Sequence, residues 1–273
     1  GRDHDRGVCG ALPCSLVRLR PYRGDTGTRA EVRYAMPIRG INRCRKGLCQ
    51  AMRVSDILKW LLGLWMAAVI FAACYYVHPA QGFIGESSRI VFFHVPMAWI
   101  AVLAFLVSCV WSIMYLRRHD PKDDIRASVS AGLGLLFAVL ATTTGSVFAR
   151  IMWNAYWNWD PRQTSITILL LIYAAYLALR GAIEDPERRA SLSAVYAILA
   201  FVTVPFLVFV VPRIYFSLHP DTIINTRGEN EFDSRYTQVL MAALIGFTGL
   251  YVWLYTLGCR IQEIRQRRQQ EVL

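Results

Sequence analysis

Six stretches of this chain contain no Asp, Glu, Lys or Arg: 60–77, 90–116, 127–149, 163–179, 190–212 and 236–259. Each equals or approaches the roughly 20 residues that a helix needs to cross a hydrocarbon layer of about 30 Å. A helix of a soluble protein carries a charged face toward water, and none of these six has one. The pattern predicts an all-α, polytopic membrane protein with six transmembrane helices. Composition alone, at 55% hydrophobic residues, leaves a large soluble domain open; the uncharged windows exclude it.

The polar segments between the windows alternate in basic content. Arg43, Arg45, Lys46, Arg53 and Lys59 precede the first window. Arg117, Arg118, Lys122 and Arg126 follow the second, Arg180, Arg188 and Arg189 the fourth, and Arg260, Arg265, Arg267 and Arg268 the last. Basic segments stay on the cytoplasmic side and acidic residues count for little in that rule, so Asp120, Asp123 and Asp124 do not alter the reading. Both termini are therefore expected in the cytoplasm, and the segments 78–89, 150–162 and 213–235 outside.

Residues 1–51 break the pattern. They are rich in Arg, Gly and Cys, lack apolar periodicity and contribute much of the net charge of +11. Met52 opens Met-Arg-Val-Ser-Asp-Ile-Leu-Lys directly before the first window. The expectation is a disordered N-terminal extension or a start-site artefact over 1–51, with the membrane domain at 52–273. Asp3 and Asp5 weigh against a transit peptide, which is poor in acids. No DNA-binding motif accompanies the bases, so no nucleic-acid partner is expected. The seven cysteines have neither zinc-site spacing nor a Cys-x-x-Cys-His for covalent haem attachment. Cys74, Cys109 and Cys259 fall in apolar windows and are expected to be small core residues. No phosphate-binding loop is present, so the chain is not itself an ATPase.

One segment is denser in chemistry than a membrane boundary requires. Trp153-Asn-Ala-Tyr-Trp157-Asn-Trp159-Asp160 packs three tryptophans, a tyrosine and a carboxylate into eight residues. Interfacial aromatic belts are common, but closely spaced rings also suit a flat, largely apolar ligand with polar edges. Asp160-Pro-Arg-Gln163 reads as a helix start, with Asp160 at the N-cap, Pro161 at the first helical position and Gln163 closing a capping box.

Two histidines stand on the same expected side as that loop. His94 lies inside the second window, where an ionisable group is costly and is a functional candidate by default. Pro96 is expected to kink the helix or to start it there. His219 follows the fifth window. Two imidazoles beside an aromatic shelf meet the needs of bis-histidine haem ligation, whereas a histidine satisfied by a neighbouring helix is the plain alternative. Arg89, Arg150, Arg162 and Arg213 flank the outward segments, either as interfacial anchors or as partners for ligand carboxylates. Pro205 is expected to kink the fifth helix, and Thr142-Thr-Thr-Gly145 to loosen the third.

Trp153-x-x-x-Trp157-x-Trp159-Asp160, with Pro-Arg-Gln-Thr164-Ser165 after it, resembles the tryptophan-rich signature of the haem-handling proteins of cytochrome c assembly. With six spans, His94-Val-Pro early in the second and His219 after the fifth, the chain is most similar to the CcmC family within that superfamily. The resemblance covers about residues 55–258. Asn154 departs from it, standing where the signature usually has Gly. The resemblance implies a carrier rather than an enzyme: non-covalent haem b on the outer face, with His94 and His219 as axial ligands and with Trp153, Trp157, Trp159 and Asp160 around it. It also implies delivery to a haem chaperone, CcmE, alongside the ABC pair CcmA and CcmB and a small membrane subunit, CcmD. The expected location is the bacterial inner membrane, with the mitochondrial inner membrane as second choice. Rival readings are the synthase of the other cytochrome c assembly route, a solute permease and a purely structural subunit. The synthase motif continues differently and belongs to chains with more spans, and the internal repeat expected of many permeases is not found.

Overall fold

The computed structural model describes residues 56–80, 83–218 and 233–272. The extension 1–51 and His219 lie outside them. Among the described residues, six helices are long and apolar enough to span a membrane: α1 Asp56–Tyr76, α2 Gly85–Arg118, α3 Pro121–Trp153, α4 Pro161–Ala182, α5 Pro186–Ile214 and α6 Ser234–Val272. No strand occurs among the described residues.

Every helix outgrows its uncharged window at one end or both, because charge halts burial in lipid but does not halt a helix. α6 is the clearest case: its 39 residues amount to about 58 Å at 1.5 Å per residue, about twice the hydrocarbon thickness. Its last stretch carries Arg260, Arg265, Arg267 and Arg268 and is largely exposed.

The core is built from small residues and rings. Ala101 and Ala104 of α2, Ala131, Ala138 and Ala141 of α3, and Ala194, Ala197 and Ala200 of α5 are buried. Lipid is as apolar as leucine, so helices associate by close backbone approach and interhelical hydrogen bonds. Both devices appear here. Phe105 stacks on Tyr173 with ring centroids 3.5 Å apart. Ser130 Oγ donates to Ala104 O at 2.7 Å and meets Tyr251 OH at 2.7 Å, joining α2, α3 and α6. The large apolar side chains that face outward, among them Leu64, Phe71, Leu171 and Leu199, are what a lipid-facing surface requires.

α1 is peripheral. It leans on α6 where Trp65 Nε1 donates to Ala242 O at 2.9 Å, and where a Cβ on Gly246 would stand 2.6 Å from Met66 Sδ. A side chain at that position would oblige Met66 and Trp65 to shift. Cys74 is exposed on the last, π-helical turn of α1 and is not the core residue expected, whereas Cys109 is buried.

Of three expectations about helix continuity, two are overturned and one is met. α2 does not begin at Pro96: a 3₁₀ turn, Gly85–Ile90, leads into the α-helix Val91–Arg118, so Pro96 is internal. Pro96 is the sixth residue of that α-helix, beyond the first four whose amides have no partner, so its missing N–H leaves Phe92 O without the usual helical bond. α3 is not loosened at Thr142-Thr-Thr-Gly145 but runs unbroken from Pro121 to Trp153. Its threonine hydroxyls turn back on their own helix, Thr142 to Ala138 O at 2.8 Å and Thr143 to Val139 O at 2.9 Å, which satisfies them without opening the backbone. Pro205 does disturb α5, which passes into a π-helical turn, Phe206–Val210, directly after it.

Candidate functional site

The tryptophan loop is the turn 154–160 between α3 and α4. Asn154 ends α3 in the left-handed conformation, φ 58° and ψ 17°. Among residues other than glycine, asparagine tolerates that region best, which is why it can stand where the signature carries Gly. Arg150 donates to Asn154 O, and its guanidinium lies 5.7 Å from the Tyr156 ring centroid. Trp159 is also left-handed, φ 54°, which is unusual for a bulky residue.

The rings divide into two sets. Trp153 and Trp157 are half-buried and brace the turn. Trp153 meets Phe148 edge-on at 5.7 Å, and Phe148 meets Phe83 at 5.9 Å. Tyr156 and Trp159 are exposed, Trp159 by 69%. Trp157 and Trp159 cross at 88° with centroids 5.9 Å apart, so they do not form one flat shelf. The loop offers the faces of separate rings instead.

Asp160 holds this arrangement. It caps α4, its Oδ1 accepting from Arg162 N at 2.9 Å. The same Oδ1 accepts from Ser217 Oγ at 2.9 Å, and Oδ2 accepts from Leu218 N at 2.7 Å. Asp160 is thus both cap and fastening, and only 6% exposed. The capping box is not the expected one. Gln163 Oε1 accepts from Asn158 N at 2.8 Å, two residues before the cap, because the loop folds back over the helix start. Thr164 adds a bond from Oγ1 to Trp159 O at 3.2 Å.

Leu218 is the residue directly before His219, so the fastening brings that point of the chain to the tryptophan loop. His219 itself is outside the described residues. The exposed Tyr215 and Phe216 precede the fastened pair and enlarge the aromatic surface at this end.

His94 is half-buried in α2. Its Nδ1 lies 3.1 Å from Thr144 Oγ1 of α3, and Gly145 backs the ring: a Cβ there would stand 2.9 Å from its Cε1. Thr144 is nine residues before Trp153 on α3, about 13 Å along the axis. His94 therefore sits below the loop rather than beside it. Arg89 pairs with Glu86 and donates to Ala73 O of α1. Arg213 donates to Phe209 O at 2.8 Å. These two arginines are engaged within the protein, as anchors would be.

Sequence reading missed Thr144, Gly145 and Ser217. The signal for the first two was present in the Thr-Thr-Thr-Gly run, but their role depends on a ring 50 positions away. Among the described residues, no group of three His, Cys, Asp or Glu side chains is placed to hold a metal ion.

A family model described as heme exporter protein C matches residues 44–273. A protein of Bradyrhizobium diazoefficiens called heme exporter protein C is 34% identical over 67% of this chain and 69% of its own. One of the same name from Paracoccus denitrificans is 30% identical over 80% of this chain and 90% of its own. A ccmC-like mitochondrial protein of cytochrome c biosynthesis from Marchantia polymorpha is 26% identical over 82% of this chain and 95% of its own.

Proposed function

The chain belongs to the heme exporter protein C family, and we propose that it holds haem b without covalent attachment at the outer face of the membrane. From there it passes the haem to a membrane-anchored chaperone, CcmE, for cytochrome c maturation. In this reading His94 and His219 are the axial ligands, Trp153, Trp157 and Trp159 line the site, and Asp160 sets its shape. CcmA and CcmB supply the ATP-driven component and CcmD a small membrane subunit. The protein itself makes and breaks no substrate bond.

The observation that carries this reading is the pair of bonds from Ser217 and Leu218 to Asp160. They tie the chain at His219 to the tryptophan loop. That loop also lies at the same end of the bundle as His94, which supports a site assembled from His94, the rings and the segment fastened at Leu218. A carrier has to release what it holds, and exposed rings with two exchangeable ligands suit that better than an enclosed pocket. Bacterial and mitochondrial relatives both exist, and we assign this chain to a bacterial inner membrane with the site toward the periplasm.

The test is optical. Protein purified in detergent should show a Soret band of six-coordinate, low-spin haem. His94→Ala and His219→Ala should each lower haem content and shift the band, and added imidazole should partly restore both. Equal haem content and identical spectra in wild type and both variants would refute the ligand assignment. Reporter fusions at residues 84, 156 and 225 should read outside and those at 120, 185 and 268 inside; an inside signal at 156 would put the loop on the wrong face.

A further inference from the structure

The contact between α2 and α3 at His94 has a direction. Thr144 Oγ1 lies 2.9 Å from Leu140 O and 3.0 Å from Ala141 O, both carbonyls of its own helix. A hydroxyl has one proton and two lone pairs. That proton is committed to the carbonyls, which can only accept. With its proton on those carbonyls, the hydroxyl presents a lone pair toward His94 Nδ1, 3.1 Å away, and the ring nitrogen facing it takes the hydrogen.

From this geometry we propose that Thr144 is a positioning residue that fixes His94 in the Nδ1–H tautomer, so that Nε2 carries the lone pair a metal can take. Gly145 completes the device. Its missing side chain leaves room for the Cε1 corner of the imidazole against α3, since a Cβ would stand 2.9 Å from Cε1, 3.5 Å from Nδ1 and 3.8 Å from Nε2. Thr144 supplies the bond and Gly145 the room, from adjacent positions on one helix. Metal-binding histidines commonly donate their second ring N–H to such an outer partner, which sets both tautomer and ring orientation. The inference rests on the reading of His94 as a haem ligand.

The experiment separates the two claims. Solid-state ¹⁵N spectra of histidine-labelled apoprotein in bilayers, with His94→Ala used to identify the His94 signals, read the tautomer with no haem present. The wild type and Thr144→Ser should give the Nδ1–H form, and Thr144→Val should lose it. Loss of the hydrogen-bond partner behind a metal-binding histidine typically weakens metal binding about 10–100-fold. Haem retention should fall by about that factor in Thr144→Val and stay near wild type in Thr144→Ser. A wild-type apoprotein in the Nε2–H form, or a Thr144→Val spectrum unchanged from wild type, would overturn the role of Thr144. A tautomer that shifts in Thr144→Val while haem retention does not would overturn His94 as the ligand and leave the hydrogen-bond selection standing.

Discussion

Three helices begin on the same dipeptide, Asp-Pro, and the two ends of the bundle use it for different purposes. Asp120 and Asp185 start α3 and α5 at the basic end. Each accepts one backbone N–H, from Lys122 at 2.9 Å and from Arg188 at 2.7 Å, and each is exposed. Asp160 starts α4 at the aromatic end with an equivalent bond, yet it is buried and takes two further donors from a segment 57 and 58 residues away. The connections differ too. At the basic end they are two residues, 119–120, and three, 183–185, and the nearby charges pair internally. Asp124 accepts both Arg180 nitrogens at 2.6 and 2.9 Å, Asp123 meets Arg126 at 3.0 Å, and Arg126 lies over the Trp111 ring. At the aromatic end the turn is longer and leaves Tyr156 and Trp159 facing out. One end is closed on itself; the other spends a capping residue on holding two segments together.

That contrast can be broken most forcefully at the closed end. Arg180→Ala leaves Asp124 buried beside no cation, and losing one partner of a buried ion pair costs about 3–5 kcal/mol. Thermal unfolding should reveal a large loss, while the haem bound per folded molecule stays constant. A selective loss of haem would show the ends to be coupled, and the comparison would fail.

Asp160 gives an effect of comparable size. Asp160→Ala removes a cap worth about 1 kcal/mol and charge-assisted hydrogen bonds worth about 1.5–3 kcal/mol each. Protease cleavage within 213–235 should accelerate and haem retention should fall together. Asp160→Asn keeps much of the cap but turns an amide toward Leu218 N–H or Ser217. If capping were the whole role, Asn would behave like wild type; the fastening predicts that it falls clearly below. Asp120→Asn at the other end should be nearly silent in both assays.

Smaller effects follow from the rings. Trp159→Ala removes an exposed indole, so stability should hardly change. Haem affinity should drop by the roughly 0.5–1.5 kcal/mol of an aromatic contact, and imidazole should not restore it, because the iron keeps both ligands. Asn154→Gly should be the mildest, within a few tenths of a kcal/mol at a left-handed position. Asn154→Val should cost about 1–2 kcal/mol there, read as a lowered unfolding midpoint.

The six helices were legible because lipid imposes a one-dimensional rule: a window without charges is a span. Their ends were less so, as α6 shows by continuing through four arginines beyond Cys259. The cap at Asp160 could be read because capping is local. Its bonds to Ser217 and Leu218 could not, since nothing near either segment announces a partner so far along the chain. Thr142-Thr-Thr-Gly145 misled for the same reason. Read locally, it suggests a weak helix; read against His94, it is a hydrogen-bond acceptor next to a space. Gln163 was expected to close on its own cap and instead holds Asn158, because the loop's path depends on where its tryptophans pack.

α6 has one more consequence, and it is mechanical. A helix of 39 residues without an internal break is a rod, and at about 1.5 Å per residue its two ends lie about 58 Å apart. Each degree of tilt about its buried start swings the far tip by about 1 Å. A fluorophore near Arg268 would therefore act as a pointer, converting a change of angle too slight to resolve near Tyr236 into a displacement that a distance measurement reads directly.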